Sequence, residues 1–141
     1  MISKFMITGT REITPEIVKM LRFSLGWLTY VSTEDTLLLQ GNAKGVDTED
    51  RALWNWWGYK DHGFSARWDL YGKAAGGIRN QQMVDESPEL CLAFPGPKSV
   101  GTWDAVRRAK SADILTFVLT DNVSMKLLFD WISQKELSNN V

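Results

Sequence analysis

The 141-residue chain has only one cysteine and one histidine. A disulfide within the chain is therefore impossible, and the single thiol, Cys91, falls inside the apolar run 90–94, which indicates a core residue rather than a reactive one. Such cysteine usage is typical of a reducing compartment. No group of His, Cys and Asp residues has the spacing of a metal site, so we expect neither a metal nor a cofactor.

Long hydrophobic runs and runs of basic residues are also missing. No stretch has the length of a signal peptide or a membrane-spanning segment, so we expect a cytoplasmic protein with no membrane partner. Lysine and arginine number 16 against 17 aspartates and glutamates, which gives a formal net charge of -1. Because nucleic-acid binding normally leaves a basic footprint, this balance argues against nucleic acid as a partner.

Two phosphate-binding patterns, the Walker motif and the dinucleotide Gly-x-Gly-x-x-Gly motif, are absent as well. What the chain does have is an alternation of short apolar runs with segments of helical periodicity. This alternation predicts a Rossmann-like, three-layer αβα fold with a parallel sheet of about five strands in the order 3-2-1-4-5. We predict one domain over 1–141, with 123–138 an added C-terminal helix. The predicted strands are 4–8, 36–39, 64–68, 90–94 and 113–118, and the predicted helices are 15–28, 46–57, 78–84, 100–110 and 123–137.

Glycine follows each of the first four predicted strands. In a parallel sheet all strand-to-helix loops lie at one edge, and ligands bind there where the strand order reverses, in this chain between the first and fourth strands. Glycines let the backbone approach a ligand, and the N-termini of the following helices favour anions. We therefore predict a phosphate or nucleotide site in a crevice between these loops. The predicted contact residues are Gly9, Thr10, Arg11, Gly41, Gly45, Asp47, Trp68, Tyr71, Gly96, Ser99, Gly101 and Thr102.

Each of these residues also has a purely structural interpretation. Arg11 could be a solvated loop charge, and Asp47 is more often a helix cap or loop lock than a catalytic group. Trp68 and Tyr71 could stack on a base or close the core as a lid. A Gly-Pro turn between strand and helix is itself common in αβ proteins without a ligand. Trp54, Trp56, Trp57 and Trp131 are predicted to pack inside, and His62 to lie in a turn at the opposite edge.

Four motifs, at 7–11, 41–47, 78–83 and 95–104, resemble the SLOG superfamily, and more closely its small YspA-like branch. The resemblance covers about residues 5–118. It implies a Rossmann-like domain that binds nucleotides or nucleotide-derived ligands. The superfamily includes Lonely Guy phosphoribohydrolases, sensors of ADP-ribose-type signals and DNA-binding DprA proteins.

The resemblance further implies that Arg79 and Asp104 are catalytic, since they match the arginine and, with a shorter side chain, the glutamate of the phosphoribohydrolases. A carboxylate can stabilise a ribosyl cation and an arginine can hold phosphate. The expected function is hydrolysis of the N-glycosidic bond of a nucleoside 5′-monophosphate. The alternative is a non-catalytic sensor or sequestering binder of an ADP-ribose-like signal. A third interpretation, a DprA-like DNA binder, is weakened by the absence of a basic surface. The resemblance also implies a homodimer or larger homo-oligomer. Pro97 and two extra residues before Gly101 depart from the enzyme pattern.

Overall fold

The computed structural model describes residues 1–140 as a parallel sheet between two layers of helices. The strands are β1 (Ile2–Gly9), β2 (Ser32–Gln40), β3 (Lys60–Gly63), β4 (Leu90–Phe94) and β5 (Leu115–Val118). The helices are α1 (Pro15–Leu28), α2 (Val46–Trp56), α3 (Trp68–Tyr71), α4 (Ala75–Asp85), α5 (Val100–Ser111) and α6 (Asn122–Asn139). The five strands are parallel in the order β3-β2-β1-β4-β5. The predicted fold class and strand order are confirmed.

Two hydrophobic clusters lie on the two faces of the sheet. Successive strand residues point to opposite faces, so Phe5 and Ile7 of β1 pack with α1, α2 and α6, whereas Met6 packs with α4 and α5. All of β4 is buried, as expected for a central strand that is covered on both faces. Cys91 lies in the second cluster, where burial raises the pKa of its thiol to about 12.

The register of β1 and β4 brings two strand-to-helix loops to the same level. Thr8 pairs with Ala93 and Gly9 pairs with Phe94, so both strands end side by side. Helix α1 follows the first loop with Thr14 as its N-cap, because the threonine hydroxyl accepts a hydrogen bond from the Ile17 amide at 3.2 Å. The end of the sheet at which the chain leaves β1 and β4 is called the carboxyl edge below.

Helix α6 packs on its own core. Its first turn is held by a capping box between Asp121 and Ser124. Met125, Leu128 and Ile132 are buried in the cluster on the α1 side of the sheet. This face of α6 therefore covers the sheet. Homo-oligomerisation and the single domain over 1–141 both stay predictions.

The region after α2 differs from prediction. The third strand is Lys60–Gly63 rather than 64–68. The prediction missed it because a polar edge strand of four residues has no alternation of apolar and polar residues. His62 therefore lies on a strand, opposite Leu39, and stacks on Phe64 with ring centroids 4.2 Å apart. Residues 69–77, which lie between the predicted third strand and the predicted helix 78–84, are helical.

Two of the tryptophans assigned to packing are on the surface. Trp54 is fully buried, where it stacks on Tyr59 and meets the edge of Phe5. Trp56 is 84% exposed and Trp57 is 41% exposed, because the end of α2 turns these rings away from the sheet. Within residues 1–140 no helix has both the length and the hydrophobicity needed to cross a membrane.

The burial of α6 predicts that the helix contributes directly to stability. Leu128→Ala should lower the free energy of unfolding by about 2–5 kcal/mol, the usual cost of truncating a buried leucine. Leu127, on the same helix, is 59% exposed, so Leu127→Ala should change it by no more than about 0.5 kcal/mol. Urea unfolding of the two variants gives the comparison. Equal effects would mean that α6 does not belong to the core.

Candidate functional site

The loops after β1 and β4 contact each other at the carboxyl edge. The Thr10 amide donates to the Phe94 carbonyl at 2.9 Å, and the Thr10 carbonyl accepts from the Val46 amide at 3.1 Å. A β-carbon on Gly96 would lie 2.7 Å from Oγ1 of Thr10, which leaves room only for glycine. Ser99 is buried, and its hydroxyl accepts from the Gly96 amide at 2.6 Å. These contacts fix the two loops relative to each other, and the ligand site predicted between them stays a prediction.

Asp47 locks the loop after β2. Its Oδ2 accepts hydrogen bonds from the Gly41 amide at 3.1 Å and the Ala43 amide at 3.2 Å. Gly45 ends this loop with φ at +80°, and a β-carbon there would lie 2.3 Å from the Thr10 carbonyl oxygen. Only glycine tolerates both this positive φ and the close approach of the Thr10 carbonyl oxygen. The structural interpretation of Asp47, as a loop lock, agrees with this geometry.

A second carboxylate, Asp50, lies fully buried one turn along α2. Neither of its oxygens has a hydrogen-bond partner among residues 1–140, and the same holds for Oδ1 of Asp47 and Nε1 of Trp54. Burial raises the pKa of Asp47 to about 6, against the lowering effects of the loop amides and Arg79. Burial, followed by the charge of Asp47, raises the pKa of Asp50 well above its usual value. Asp50 therefore ionises less readily in the folded protein than an exposed aspartate does.

Arg79 and Asp104, the two predicted catalytic residues, are joined through Asn80. The buried Asn80 side chain accepts from Nε of Arg79 at 3.0 Å and donates to Oδ2 of Asp104 at 3.0 Å. Arg79 also donates to the Gly41 carbonyl, and burial lowers its pKa. Asn80 belongs to the motif 78–83, but the sequence alone predicts no role for it. Its burial on α4 between two charged side chains shows that it links them.

The carboxylate of Asp104 is engaged by cations rather than free. Nε of Arg108 donates to it at 2.8 Å, and Arg107 lies 3.7 Å away. Burial on its own would raise the pKa of Asp104, but the hydrogen bonds from Arg108 and Asn80 outweigh it, so the pKa is lowered. The ionised carboxylate of Asp104, held by Asn80, Arg107 and Arg108, connects α4 to α5. Because it is ionised, it is a poor proton donor.

The structure divides the predicted contact residues into two groups. Most are buried or half-buried and hold the loops in place: Gly9, Thr10, Gly41, Gly45, Asp47, Gly96, Ser99 and Thr102. The others are exposed: Arg11, Trp68, Tyr71 and Gly101. Trp68 and Tyr71 lie on α3, with 52% and 48% of their surfaces accessible, so they do not close the core.

Exposed cations gather at the carboxyl edge although they are scattered along the sequence. The five in its loops are Arg11, Lys44, Arg67, Lys73 and Lys98. The accessible carboxylates of these loops and of the first turns of α1 to α3 are Glu12, Glu16, Glu49, Asp69 and Asp121, and Asp69 is paired with Arg67 at 3.1 Å. The opposite edge, where the strands begin, has Lys4, Lys60, Arg108 and Lys110 beside Glu34, Asp35, Asp85, Glu86, Glu89 and Asp113. The two edges therefore differ in charge, although the chain as a whole is nearly neutral.

Two solved structures share this fold. DNA processing protein A (DprA) from Streptococcus pneumoniae superposes on 95% of this chain and 56% of its own, with 15% identity and a TM-score of 0.66. DNA processing protein A from Helicobacter pylori, solved to describe its single-stranded DNA binding mode, superposes on 96% of this chain and 79% of its own, with 16% identity and a TM-score of 0.64. The chain thus spans little more than half of the first protein. At these identities the similarity establishes the fold, which is the one expected from the SLOG resemblance.

A protein-sequence match is also found. The gene 61 protein of Mycobacterium phage D29 is 40% identical over 86 residues, which are 55% of this chain and 66% of the phage protein, just under two thirds of it. No protein-family model matches the chain.

These findings correct the predicted function. The proteins that share the fold are DNA processing proteins, one described by how it binds single-stranded DNA, so the predictions of an N-glycosidase and of a small-molecule sensor are wrong. Nothing supports a hydrolase, and the carboxylate of Asp104 is already engaged by Arg108 and Asn80. The exclusion of nucleic acid as a partner is contradicted by the same structures. It failed because net charge does not show how charges are distributed in the fold.

The buried carboxyl of Asp50 predicts a pH effect on stability. Its pKa is raised in the folded state, so the stability present below the unfolded pKa of about 3.9 is progressively lost as the pH rises towards the folded pKa. Asp50→Asn removes this loss and keeps the shape. The melting temperature of the variant, relative to the wild type, should therefore rise from pH 4 to pH 7. The exposed Asp35→Asn serves as the control, and a difference for Asp50→Asn that stays constant across this range would contradict the interpretation.

Proposed function

We propose that this protein binds single-stranded DNA at the carboxyl edge of its sheet. The observation that carries the proposal is the gathering of five exposed cations from four separate loops at this one edge. Arg11, Lys44, Lys73 and Lys98 have no ion-pair partner among residues 1–140, so their charges are available for phosphates. The shared fold with DNA processing proteins supports DNA as the ligand.

The exposed aromatic rings favour a single strand over a duplex. Trp68 and Tyr71 lie on α3 at the same edge as the cations, and Trp103, 42% exposed, lies in the first turn of α5. Unpaired bases stack on such rings, and each stacked base contributes about 1–3 kcal/mol. Bases inside a duplex have no free face for this contact. Aromatic rings beside unpaired cations are therefore the arrangement expected of a single-strand binder.

The remaining predicted site residues act by shaping this surface. Thr10 and Gly96 hold the loops after β1 and β4 together, and Asp47 holds the loop that carries Lys44. Arg79 and Asp104, on either side of Asn80, brace that loop and α5 against α4. In the proposal these residues position Arg11, Lys44, Trp68 and Tyr71, which contact the DNA.

The YspA-like branch of the SLOG superfamily remains the finer family assignment that we propose on the four sequence motifs. A cytoplasmic location belongs to the same proposal, since it agrees with the single buried cysteine. The gene 61 protein of Mycobacterium phage D29 offers a natural comparison, because a shared DNA-binding surface should appear in both proteins.

The proposal predicts a salt-dependent affinity for oligothymidylate. Arg11→Ala combined with Lys44→Ala should reduce the slope of log affinity against log salt concentration by about 1.4, because each lost phosphate contact removes about 0.7 for a single strand. Trp68→Ala should weaken binding by about 1–3 kcal/mol through lost stacking. Fluorescence anisotropy of a labelled oligonucleotide at several salt concentrations measures both effects.

Matched controls lie at the opposite edge. Trp56 is more exposed than Trp68, and Lys60 and Lys110 are exposed with no ion-pair partner among residues 1–140. Trp56→Ala and the pair Lys60→Ala with Lys110→Ala should leave affinity unchanged. If the two sets of variants lose affinity equally, or the wild type binds duplex as tightly as single strand, the proposed site is wrong.

A further inference from the structure

An open groove of about 730 Å³ runs along the first turns of α1, outside the surface described above. Its apolar residues are Ile13, Pro15, Val18 and Phe23. Ile13 is 40% exposed and Phe23 is 50% exposed, which leaves an apolar and aromatic floor in contact with water. An accessible floor of this kind is a candidate binding surface rather than part of the core.

The ring of Phe23 is supported from behind by other aromatic side chains. Its centroid lies 6.0 Å from that of Trp27, which in turn meets the edge of Phe129 at 5.3 Å. Contacts on one flank restrict the ring while its other side stays open. A ring held in this way loses little conformational freedom when a flat ligand stacks on it.

Two cations stand on α1 beside the apolar floor. Lys19 and Arg22 line the groove and are exposed. Neither has an ion-pair partner among residues 1–140, although Glu16 lies one turn before Lys19. The groove therefore combines an aromatic surface for bases with free positive charge for phosphates.

The groove begins two residues after Arg11 of the proposed DNA surface. Ile13 follows Arg11 and Glu12 in the loop after β1, and α1 then advances about 12 Å from Pro15 to Phe23. A strand that contacts Arg11 at the carboxyl edge thus reaches the groove directly. A second copy of the chain is disfavoured as occupant, because a two-fold contact would bring Lys19 and Arg22 of both copies together.

We propose that the groove along α1 is a second subsite for single-stranded DNA, in which Phe23 stacks on a base and Lys19 and Arg22 contact phosphates. This inference rests on the proposed function, because it extends the strand beyond the carboxyl edge. It predicts two ranges of ligand length. Short oligonucleotides occupy only the edge, and longer ones gain affinity from the groove.

The test measures affinity for oligothymidylates of about 4 to about 16 nucleotides, the range of site sizes known for single-strand binding folds. Phe23→Ala should weaken binding of the long oligonucleotides by about fivefold to about a hundredfold, the equivalent of one lost stacked base. Lys19→Glu with Arg22→Glu should reduce the salt slope for long oligonucleotides by at least about 1.4. Neither change should alter binding of the shortest oligonucleotide that the wild type holds. Lys60→Glu with Lys110→Glu gives the same change of net charge at the opposite edge and should have no effect.

The outcomes separate the two proposals. If long and short oligonucleotides still depend on Arg11 and Trp68 but not on the groove variants, the second subsite is overturned and the edge site stands. That result would also follow if the groove takes a protein segment instead. If the wild type binds no oligonucleotide of any length, both proposals fail. Circular dichroism and urea unfolding of each variant confirm that the fold is intact before affinities are compared.

Discussion

The backbone of Thr10 joins three loops of the carboxyl edge. Its amide donates to Phe94 at the end of β4, and its carbonyl accepts from Val46 at the start of α2. Glycines at 45 and 96 are required because any side chain there would collide with Thr10. The positions of Arg11, Lys44 and Lys98 all follow from this junction, since each lies within a few residues of it in one of the three loops. The contacts between the three loops thus determine the shape of the exposed surface at the carboxyl edge.

Electrostatic polarity gives this edge its chemical character. Parallel strands place every strand-to-helix loop on the same side, so cations that are far apart in sequence become neighbours. At the opposite edge, Glu86 forms an ion pair with Lys4, and Glu89 accepts a hydrogen bond from the hydroxyl of Ser3. The proposed function relies on this distribution, because a polyanion is attracted by exposed cations. Net charge, which is close to zero, does not describe such a molecule.

Much of the fold could be predicted from the sequence because its central elements carry strong local patterns. Strand β4 is a continuous apolar run, and α1 begins with Thr14 and Pro15, whose preferences for these positions have a direct physical cause. Strand β3 has neither feature, since half of it faces solvent, and it is joined to β2 by backbone hydrogen bonds and by one from the Gln40 side-chain amide to Asp61. Trp56 was misassigned because size and hydrophobicity do not tell which side of a helix end faces water.

The site was harder to predict than the fold. The sequence predicts that the strand-to-helix loops at the carboxyl edge form the site. A sequence pattern does not distinguish a glycine that makes room for a ligand from one that makes room for another loop. Gly96 is the second kind, because it admits the side chain of Thr10. The central position of Asn80 depends on the packing of α4 against α5, and the grouping of Lys44, Lys73 and Lys98 depends on the strand order. Both are properties of the folded chain. The resemblance to phosphoribohydrolases led to a wrong function because it was judged on two residues without their neighbours.

Amide chemical-shift mapping by NMR with unlabelled oligothymidylate tests the central claim most directly. The account predicts that the largest shifts fall in the loops after β1, β2, β3 and β4 and in the indole signals of Trp68 and Trp103. The amides near Glu34, Lys60 and Asp113, at the opposite edge, should not move. Shifts concentrated at that opposite edge, or no shifts at saturating oligonucleotide, would contradict the assignment of the carboxyl edge as a DNA-binding surface.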